Sequence, residues 1–282
     1  MGRPHIEFIQ PQQLPWQRYA GAGRTDVEVK VLSEDAAIGE ASLLVRYPRG
    51  WSRPAPEYLT ADEEIYVLDG ALTIGDVTYR PHDYAYLPKG FPRPSAAAPN
   101  GAVVITFYYG VPQVKSGAPP AGYDDAARFL PRSNLDDTGW DKDYSGVDSP
   151  ELVKAGARKK MLRTDPVTGD QTWLINTPAG WSETKVETHP VVQEMVLLTG
   201  EIAGPEGLMR PGAYFWRPED IRHGPFGSRT GNIILMRSRG GRLSTQYFTP
   251  DTPFAFDPPY RPVLPPHLQA LCGTEWTGTA PY

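Results

Sequence analysis

Cysteine is almost absent from this sequence, since the 282 residues include only one, Cys272. An internal disulfide and a zinc site built from cysteines are therefore excluded. A single thiol fits a reducing compartment, and we expect a cytoplasmic protein. The N-terminal residues lack the apolar core of a signal peptide, and no apolar run is long enough to span a membrane.

An excess of charge of one sign is also lacking. The chain has 28 Lys and Arg residues against 33 Asp and Glu residues, for a net charge of -5. This balance excludes the basic surface typical of nucleic-acid-binding proteins, and there is no polybasic membrane patch. Hydrophobic residues make up 40% of the chain, which is enough for a packed core and argues against disorder.

Long uninterrupted helices are not expected, because 31 Pro and 28 Gly residues form about a fifth of the chain. Such frequent punctuation fits many short strands joined by turns. Short runs rich in β-forming residues occur at 41–47, 64–68, 101–109, 172–176 and 232–237. The sequence therefore predicts an all-β fold, either a sandwich or a barrel.

The chain contains an internal repeat. It aligns with itself without a gap when each residue is compared with the one 130 positions later, as for Glu57 and Glu187. The aligned pairs preserve Gly, Pro and Trp: Pro48 with Pro178, Gly50 with Gly180, Trp51 with Trp181, Gly70 with Gly200, and Pro88 with Pro218. At this spacing each copy is a whole small domain and not one unit of a solenoid.

The repeat divides the chain into four parts. The first copy occupies 1–110 and the second occupies 157–248, with a connector at 111–156 where the strand pattern disappears. A short helix is predicted at 150–155, with Ser149 as its N-cap. The Pro-rich tail at 249–282 is predicted to form a strap along the surface.

Two of the five histidines, His189 and His223, lie in runs typical of a strand followed by a turn. Glu187 and His189 are two residues apart, so on a strand their side chains project to the same face. Two imidazoles with nearby oxygens, here those of Glu187 and Gln193, suit a divalent transition metal. The residue types alone leave an alternative open, in which the two histidines are unrelated and merely lie near strand ends.

The spacing of these residues resembles the motifs of the cupin superfamily, and with the repeat the chain resembles a bicupin. The first cupin motif places Glu three or four residues after His-x-His, and Gly after six more. The corresponding residues here are Glu187, His189, Gln193 and Gly200. The second motif, Pro-x-Gly-x-x-His, corresponds to Pro218-x-Asp-x-x-His223. The second copy is also similar to anti-sigma-factor-type and uncharacterised bacterial cupins.

The resemblance implies two tandem cupin barrels, of the double-stranded β-helix or jelly-roll type, with one divalent transition metal in the second. The ligands would be Glu187, His189, Gln193 and His223, where cupins usually have His, His, Glu and His. Fe(II) is favoured, with Mn(II), Ni(II) or Zn(II) as alternatives. Gln193 would either coordinate weakly or lie behind the ligands. Alternation places Glu194 on the opposite face, where we expect an exterior or interface residue.

The first copy lacks this ligand set. Its corresponding positions hold Glu57, Leu59, Glu63 and Arg93. Leu59 cannot bind a metal, and Arg93 places a permanent cation where an imidazole would be. We therefore expect no metal in the first copy, and we expect Arg93 to pair with Glu57 or Glu63.

Several residues on predicted strands should line the second barrel: Trp173, Met195, Leu197 and Phe215. A pocket with an aromatic lining suits a small apolar or aromatic molecule. Arg237 ends an apolar run and is a further pocket residue. It would either reach a carboxylate or carbonyl of the substrate or form a surface salt bridge.

The resemblance favours a mononuclear metal enzyme, specifically a dioxygenase that cleaves a C–C bond in a diketone, a hydroxyketone or an aromatic compound. Glu187 would be a ligand or a general base, and Gln193 or a bound water would handle the proton. A redox-silent lyase or isomerase and a non-catalytic sensor are the alternatives, because a fold supplies a site and not a reaction. We expect a small-molecule substrate, no nucleic-acid or membrane partner, and a homodimer paired through exposed barrel edges.

Overall fold

The computed structural model describes residues 2–19, 23–123, 125–137, 139–145 and 147–282. Over these residues the chain is nearly all-β, as the sequence predicted. It divides into two compact units. The first unit contains Met1–Arg3 and Pro15–Asp137, and the second contains Pro4–Leu14 and Thr138–Tyr282.

The strands up to position 134 are β1 (Ile6–Ile9), β2 (Glu28–Asp35), β3 (Glu40–Tyr47), β4 (Trp51–Arg53), β5 (Glu57–Leu59), β6 (Glu63–Gly70), β7 (Leu72–Ile74), β8 (Val77–Tyr79), β9 (Asp83–Leu87), β10 (Ala96–Ala98), β11 (Ala102–Tyr108), β12 (Val114–Ser116) and β13 (Leu130–Asn134). The later strands are β14 (Arg158–Thr164), β15 (Gln171–Thr177), β16 (Trp181–Ser182), β17 (Glu187–Thr188), β18 (Val192–Gly200), β19 (Ile202–Gly204), β20 (Gly207–Met209), β21 (Tyr214–Arg217), β22 (Gly227–Ser228), β23 (Asn232–Arg239) and β24 (Gln246–Tyr247). The helices are short: 3₁₀ turns at Pro11–Gln13 and Ala126–Arg128, α1 (Pro150–Lys154) and α2 (Pro266–Cys272).

The large sheets of the two units have corresponding strand orders. In the first unit a six-stranded sheet runs β13-β9-β6-β11-β3-β2 and a four-stranded sheet runs β4-β10-β7-β8. In the second unit the orders are β1-β21-β18-β23-β15-β14 and β16-β22-β19-β20. Within the residues that the structure describes, neither large sheet closes on itself. The sheets are therefore open, where the sequence predicted closed barrels.

Each unit has its own hydrophobic core, built by alternation along the central strands. On β3, Leu43, Val45 and Tyr47 all belong to the core of the first unit. On β18, Met195 and Leu197 belong to the core of the second unit. Because successive side chains of a strand point to opposite faces, residues two apart enter the same core.

Both large sheets take an edge strand from a segment that the sequence assigned elsewhere, β1 from the predicted first copy and β13 from the predicted connector. In the first unit β13 pairs with β9, and in the second β1 pairs with β21. This division differs from the predicted domains, because residues 4–14 lie in the second unit and part of the predicted connector, 111–137, lies in the first. The unpaired N–H and C=O groups at an open sheet edge favour such strand addition.

Gly70 and Gly200, which align in the repeat, occupy the same backbone environment. Their φ angles are +70° and +76°, in the left-handed region that favours glycine. A Cβ at Gly70 would overlap the carbonyl oxygen of Gly101, and one at Gly200 would overlap that of Gly231. Glycine is therefore required at the same position in both copies.

The connector helix and the tail differ in detail from the predictions. α1 lies at the predicted position, but the side chain of Ser149 makes no capping hydrogen bond. The tail packs within the second unit, where the ring of Tyr260 lies edge-on to Phe8 at 5.6 Å between centroids. The tail also contains α2, which the sequence did not predict. In the part of the chain that the structure describes, no helix has the length and apolarity needed to cross a membrane.

Candidate metal centre

Glu187, His189 and His223 converge in the second unit, and the backbone explains why. Glu187 lies on β17, and its N–H donates to the carbonyl oxygen of His223 at 3.0 Å. The N–H of His223 donates back to the carbonyl oxygen of Glu187, also at 3.0 Å. This antiparallel bridge brings Glu187 and His223 together, and strand alternation brings His189 to the same side as Glu187.

The potential ligand atoms of the three side chains all lie within 4.8 Å of one another. Oε1 of Glu187 is 3.6 Å from Nε2 of His189 and 3.4 Å from Nε2 of His223. The centroids of the two imidazole rings are 5.0 Å apart. The spacing of three donor atoms around one point is compact enough for a single ion to bind them all.

Hydrogen bonds to backbone carbonyls orient both imidazoles. Nδ1 of His189 donates to the carbonyl oxygen of Ser244 at 2.9 Å, and Nδ1 of His223 donates to that of Ile221 at 2.8 Å. A proton on Nδ1 leaves the lone pair on Nε2. Both Nε2 atoms are buried and make no hydrogen bond of good geometry, since Oε1 of Glu187 lies 3.6 and 3.4 Å away. Two imidazoles held in this way beside a carboxylate fit a divalent transition metal.

The electrostatics favour the protonation states that metal binding requires. Burial and the nearby charge of Arg217 lower the pKa of His223, and the carboxylate of Glu187 only partly offsets this effect. Burial alone would raise the pKa of Glu187, but interactions with His189 and His223 hold it below its ordinary value. The site therefore combines an ionised carboxylate with a neutral imidazole at neutral pH.

Gln193, the fourth predicted ligand, lines the same cavity from β18. Its Oε1 accepts a hydrogen bond from Nη1 of Arg217, so the oxygen that would coordinate a metal is already engaged. Its role as a ligand stays a prediction. The guanidinium of Arg217 is itself paired with Glu7, through Nε to Oε2 at 2.7 Å and through Nη2 to Oε1.

Sequence reasoning missed Arg217 and Glu7, although both are only 2% exposed. Burial raises the pKa of Glu7, but the charge and hydrogen bonds of Arg217 and a contact with His5 outweigh burial and lower it to about 2. One signal was available in the sequence. Arg217 aligns with Leu87 of the first copy, so a charge replaces an apolar residue at a buried position.

Sequence reasoning also missed Glu183, which lines the cavity near the three converging groups. Burial, reinforced by the charge of Glu187, raises the pKa of Glu183. The cavity therefore contains two acidic side chains whose pKa values are shifted in opposite directions, upward for Glu183 and downward for Glu187.

The cavity has a volume of about 90 Å³. Three of the predicted pocket residues line it, namely Trp173, Met195 and Phe215. Leu197 belongs to the same hydrophobic core but does not line the cavity. Arg237 does not line it either. Its neighbour Met236 faces the cavity, and alternation along β23 turns Arg237 to the other face.

Arg237 forms a buried ion pair with Glu194, so the predicted roles of both residues need correction. Glu194 was expected at an exterior or interface position, but it is 1% exposed. Its carboxylate accepts hydrogen bonds from Arg237 and from the hydroxyl of Tyr214. A charged side chain is tolerated at this depth because its partners satisfy the carboxylate.

The corresponding region of the first unit contains ion pairs. The backbone bridge between Glu57 and Arg93 repeats that between Glu187 and His223. Nη2 of Arg93 donates to Oε2 of Glu63 at 2.6 Å, which is one of the two pairings that the sequence predicted. Glu57 pairs with Arg24. Within the described residues, the only cluster of His, Cys, Asp or Glu side chains suited to a metal is the one in the second unit.

The chain has a cupin-like fold with a candidate metal centre, and the solved structures that resemble it include cupin-fold proteins. A protein described as a "putative dioxygenase" from Nostoc punctiforme PCC 73102 is 18% identical, with a TM-score of 0.77 over 89% of this chain and 92% of that one. A variant of oxalate decarboxylase from Bacillus subtilis is 10% identical, with a TM-score of 0.54 over 88% and 81%. A variant of salicylate 1,2-dioxygenase from Pseudoaminobacter salicylatoxidans is 11% identical, with a TM-score of 0.51 over 74% of each chain.

The chain belongs to the family described as Domain of unknown function (DUF4437), which matches residues 10–245. No curated protein matches it. The identities to the solved structures are low enough that the likeness concerns the fold alone, and the names of those proteins include both dioxygenases and a decarboxylase. The reaction must therefore be argued from the site.

Proposed function

We propose that this protein is a bicupin with one mononuclear metal centre, and that it acts as a dioxygenase cleaving a C–C bond in a small oxygenated molecule. The observation that carries the proposal is the convergence of Glu187, His189 and His223 with both imidazole Nε2 atoms unpartnered. A buried polar atom without a partner is costly, and one ion would satisfy both nitrogens. Bound there, Fe(II), the favoured metal, would supply Lewis acidity and dioxygen chemistry.

The residues that line the cavity would have distinct roles in that reaction. His189 and His223 hold fixed orientations because backbone carbonyls bind their Nδ1 atoms, and Glu187 supplies the negative charge that a divalent cation requires. Arg217 holds Gln193 at the cavity wall. The apolar side chains of Met195 and Phe215 limit water around the substrate, which strengthens electrostatic interactions inside the cavity.

The bicupin interpretation is supported by the corresponding strand orders of the two units. In this proposal the first unit is structural, because the ion pairs of Arg24 with Glu57 and of Arg93 with Glu63 occupy the positions of the metal ligands. The proposal includes a small-molecule substrate, a homodimer and a cytoplasmic location. Size-exclusion chromatography with light scattering tests the homodimer.

The experiment that tests the function has two steps. Protein purified without a His tag is first analysed for metals by inductively coupled plasma mass spectrometry, and we expect iron. Oxygen uptake is then measured with a panel of diketones, hydroxyketones and hydroxylated aromatic compounds. Uptake that requires both iron and one substrate class supports the dioxygenase. Iron-loaded protein that consumes no oxygen with any of these compounds contradicts it.

A redox-silent lyase or isomerase is the second candidate, because a carboxylate with two imidazoles suits redox-silent divalent metals as well as iron. The same three ligands would then hold a metal that polarises a carbonyl without dioxygen. Turnover under anaerobic conditions distinguishes this candidate from the dioxygenase. A protein that binds small molecules but turns none over would instead match a sensor.

A further inference from the structure

Two further polar atoms of the cavity wall are buried and unpartnered. Trp173 and Thr177 both lie on β15 and both line the cavity. Trp173 is 1% exposed and Thr177 is 3% exposed. Nε1 of Trp173 and Oγ1 of Thr177 have no hydrogen-bond partner in the described part of the chain. Since the residues are four apart on one strand, they face the same side.

The neighbours of Trp173 along this row carry no strong hydrogen-bond acceptor for its indole N–H. Backbone register places Trp173 opposite Met236, Met236 opposite Met195, and Met195 opposite Phe215. All four residues line the cavity. At about 4.8 Å per strand, Trp173 lies roughly 10 Å across the sheet from Met195. The indole N–H is therefore the one strong hydrogen-bond donor in a row of thioether and aromatic groups.

We propose that the indole N–H of Trp173, with the hydroxyl of Thr177 further along β15, binds an oxygen acceptor at the end of the substrate remote from the metal. The substrate is then a small molecule with two oxygen functions separated by an apolar spacer. One oxygen function binds at Glu187, His189 and His223. The inference rests on the proposed function for the end of the substrate that binds at the metal. For the opposite end, it adds Trp173 and Thr177 as residues that determine specificity.

The chemistry of the donor and the size of the cavity narrow the substrate class. An indole N–H donates and cannot accept, so its partner is a carbonyl, carboxylate or enolate oxygen and not an ammonium group. A cavity of about 90 Å³ has room for roughly three water molecules at about 30 Å³ each. The spacer between the two oxygen functions is therefore a short aliphatic chain or a single ring.

The test uses hydroxamates as metal-binding probes on protein loaded with Co(II), whose ligand-field absorption reports binding without turnover. Pentanohydroxamate is compared with its 3-oxo and 4-oxo derivatives, which add one ketone oxygen at successive carbons. We expect one oxo derivative to bind wild-type protein about tenfold or more tightly than pentanohydroxamate, because the wall donor then gains its acceptor.

Trp173→Phe removes the N–H and keeps an aromatic ring. We expect it to abolish the preference for the ketone while affinity for pentanohydroxamate changes less than about threefold. Met236→Leu, in the neighbouring position of the same row, is the matched control and should keep the preference. Circular dichroism establishes that each variant is folded. If Trp173→Phe does not fold, Thr177→Val supplies the test and should reduce the same preference.

The failures of the two proposals are distinguishable. A Co(II) spectrum that responds equally to all three probes would overturn this inference alone. So would a ketone preference that survives in both Trp173→Phe and Thr177→Val, since a trapped water would then satisfy the wall donors. Protein that binds no Co(II), or whose Co(II) spectrum ignores every hydroxamate, would overturn the proposed metal centre and this inference with it.

Discussion

Replacing Glu7 with glutamine should destabilise the second unit by about 3 to 5 kcal/mol, because it leaves the guanidinium of Arg217 buried without a counter-charge. Both side chains are 2% exposed, so water cannot replace the lost carboxylate. The pKa of Glu7 leads to a similar magnitude. It is lowered from 4.5 to about 2, and at about 1.4 kcal/mol per pH unit the difference corresponds to roughly 3 kcal/mol.

The sign of the pH dependence follows from the same pKa. Because the folded state lowers the pKa of Glu7, the ion pair contributes its full stability above about pH 4.5 and loses it as the pH falls toward 2. The free energies of unfolding of wild type and Glu7→Gln should therefore differ most at neutral pH and converge in acid. Urea titrations followed by circular dichroism at several pH values measure this difference.

Arg46 and Glu28 provide the matched control for this experiment. They form the same kind of ion pair in the first unit, but their side chains are 40% and 49% exposed. Glu28→Gln should therefore cost less than about 1 kcal/mol. A loss of less than about 1 kcal/mol in the free energy of unfolding for Glu7→Gln, or equal losses for the two variants, would refute the argument that burial makes the Glu7 ion pair strongly stabilising.

Three further predictions concern the site and its counterpart in the first unit. Glu187→Gln keeps the shape but loses the charge, so metal affinity measured by competition with a chelator should fall at least about tenfold; an unchanged affinity would mean that Glu187 is not a ligand. Gln193→Ala should lower metal affinity less than about threefold, because the Gln193 oxygen already binds Arg217; complete loss of metal would make Gln193 an essential ligand. Glu57→Ala should leave metal content unchanged but destabilise the first unit by about 3 kcal/mol, since it strands the buried charge of Arg24; unaltered unfolding in urea would contradict this.

The β-rich architecture was predictable because its signals are local. Gly and Pro punctuate short runs of β-forming residues, and the gapless repeat indicates two copies of one unit. The addition of β1 to β21 was not predictable in the same way. It pairs Ile6 with Trp216 across about two hundred residues, and no local pattern in the first ten residues specifies which sheet edge they meet.

The candidate ligands were predictable for a physical reason. Two residues that are two apart on a strand share a face, which brings Glu187 and His189 together, and the spacing of the second motif added His223. The partner of Gln193 was not predictable, because Arg217 acts there as a donor whose own counter-charge, Glu7, lies 210 positions earlier in the sequence.

The pocket residues divide according to strand alternation. Trp173 lines the cavity, but Arg237 does not, since Met236 occupies the cavity side of β23. Glu194, the buried partner of Arg237, lies on the face of β18 opposite the site, as alternation predicted. Its nearly complete burial depends on tertiary contacts that a strand pattern does not specify.

The measurement that tests the central claim most directly is the metal content of untagged protein and of the double variant His189→Ala with His223→Ala, determined by mass spectrometry. We predict about one transition-metal ion per chain in the wild type and none in the double variant, because both unpartnered Nε2 atoms are then removed. The comparison variant Glu57→Ala should retain its metal. Two ions per chain in the wild type, or metal that persists in the double variant, would contradict the account.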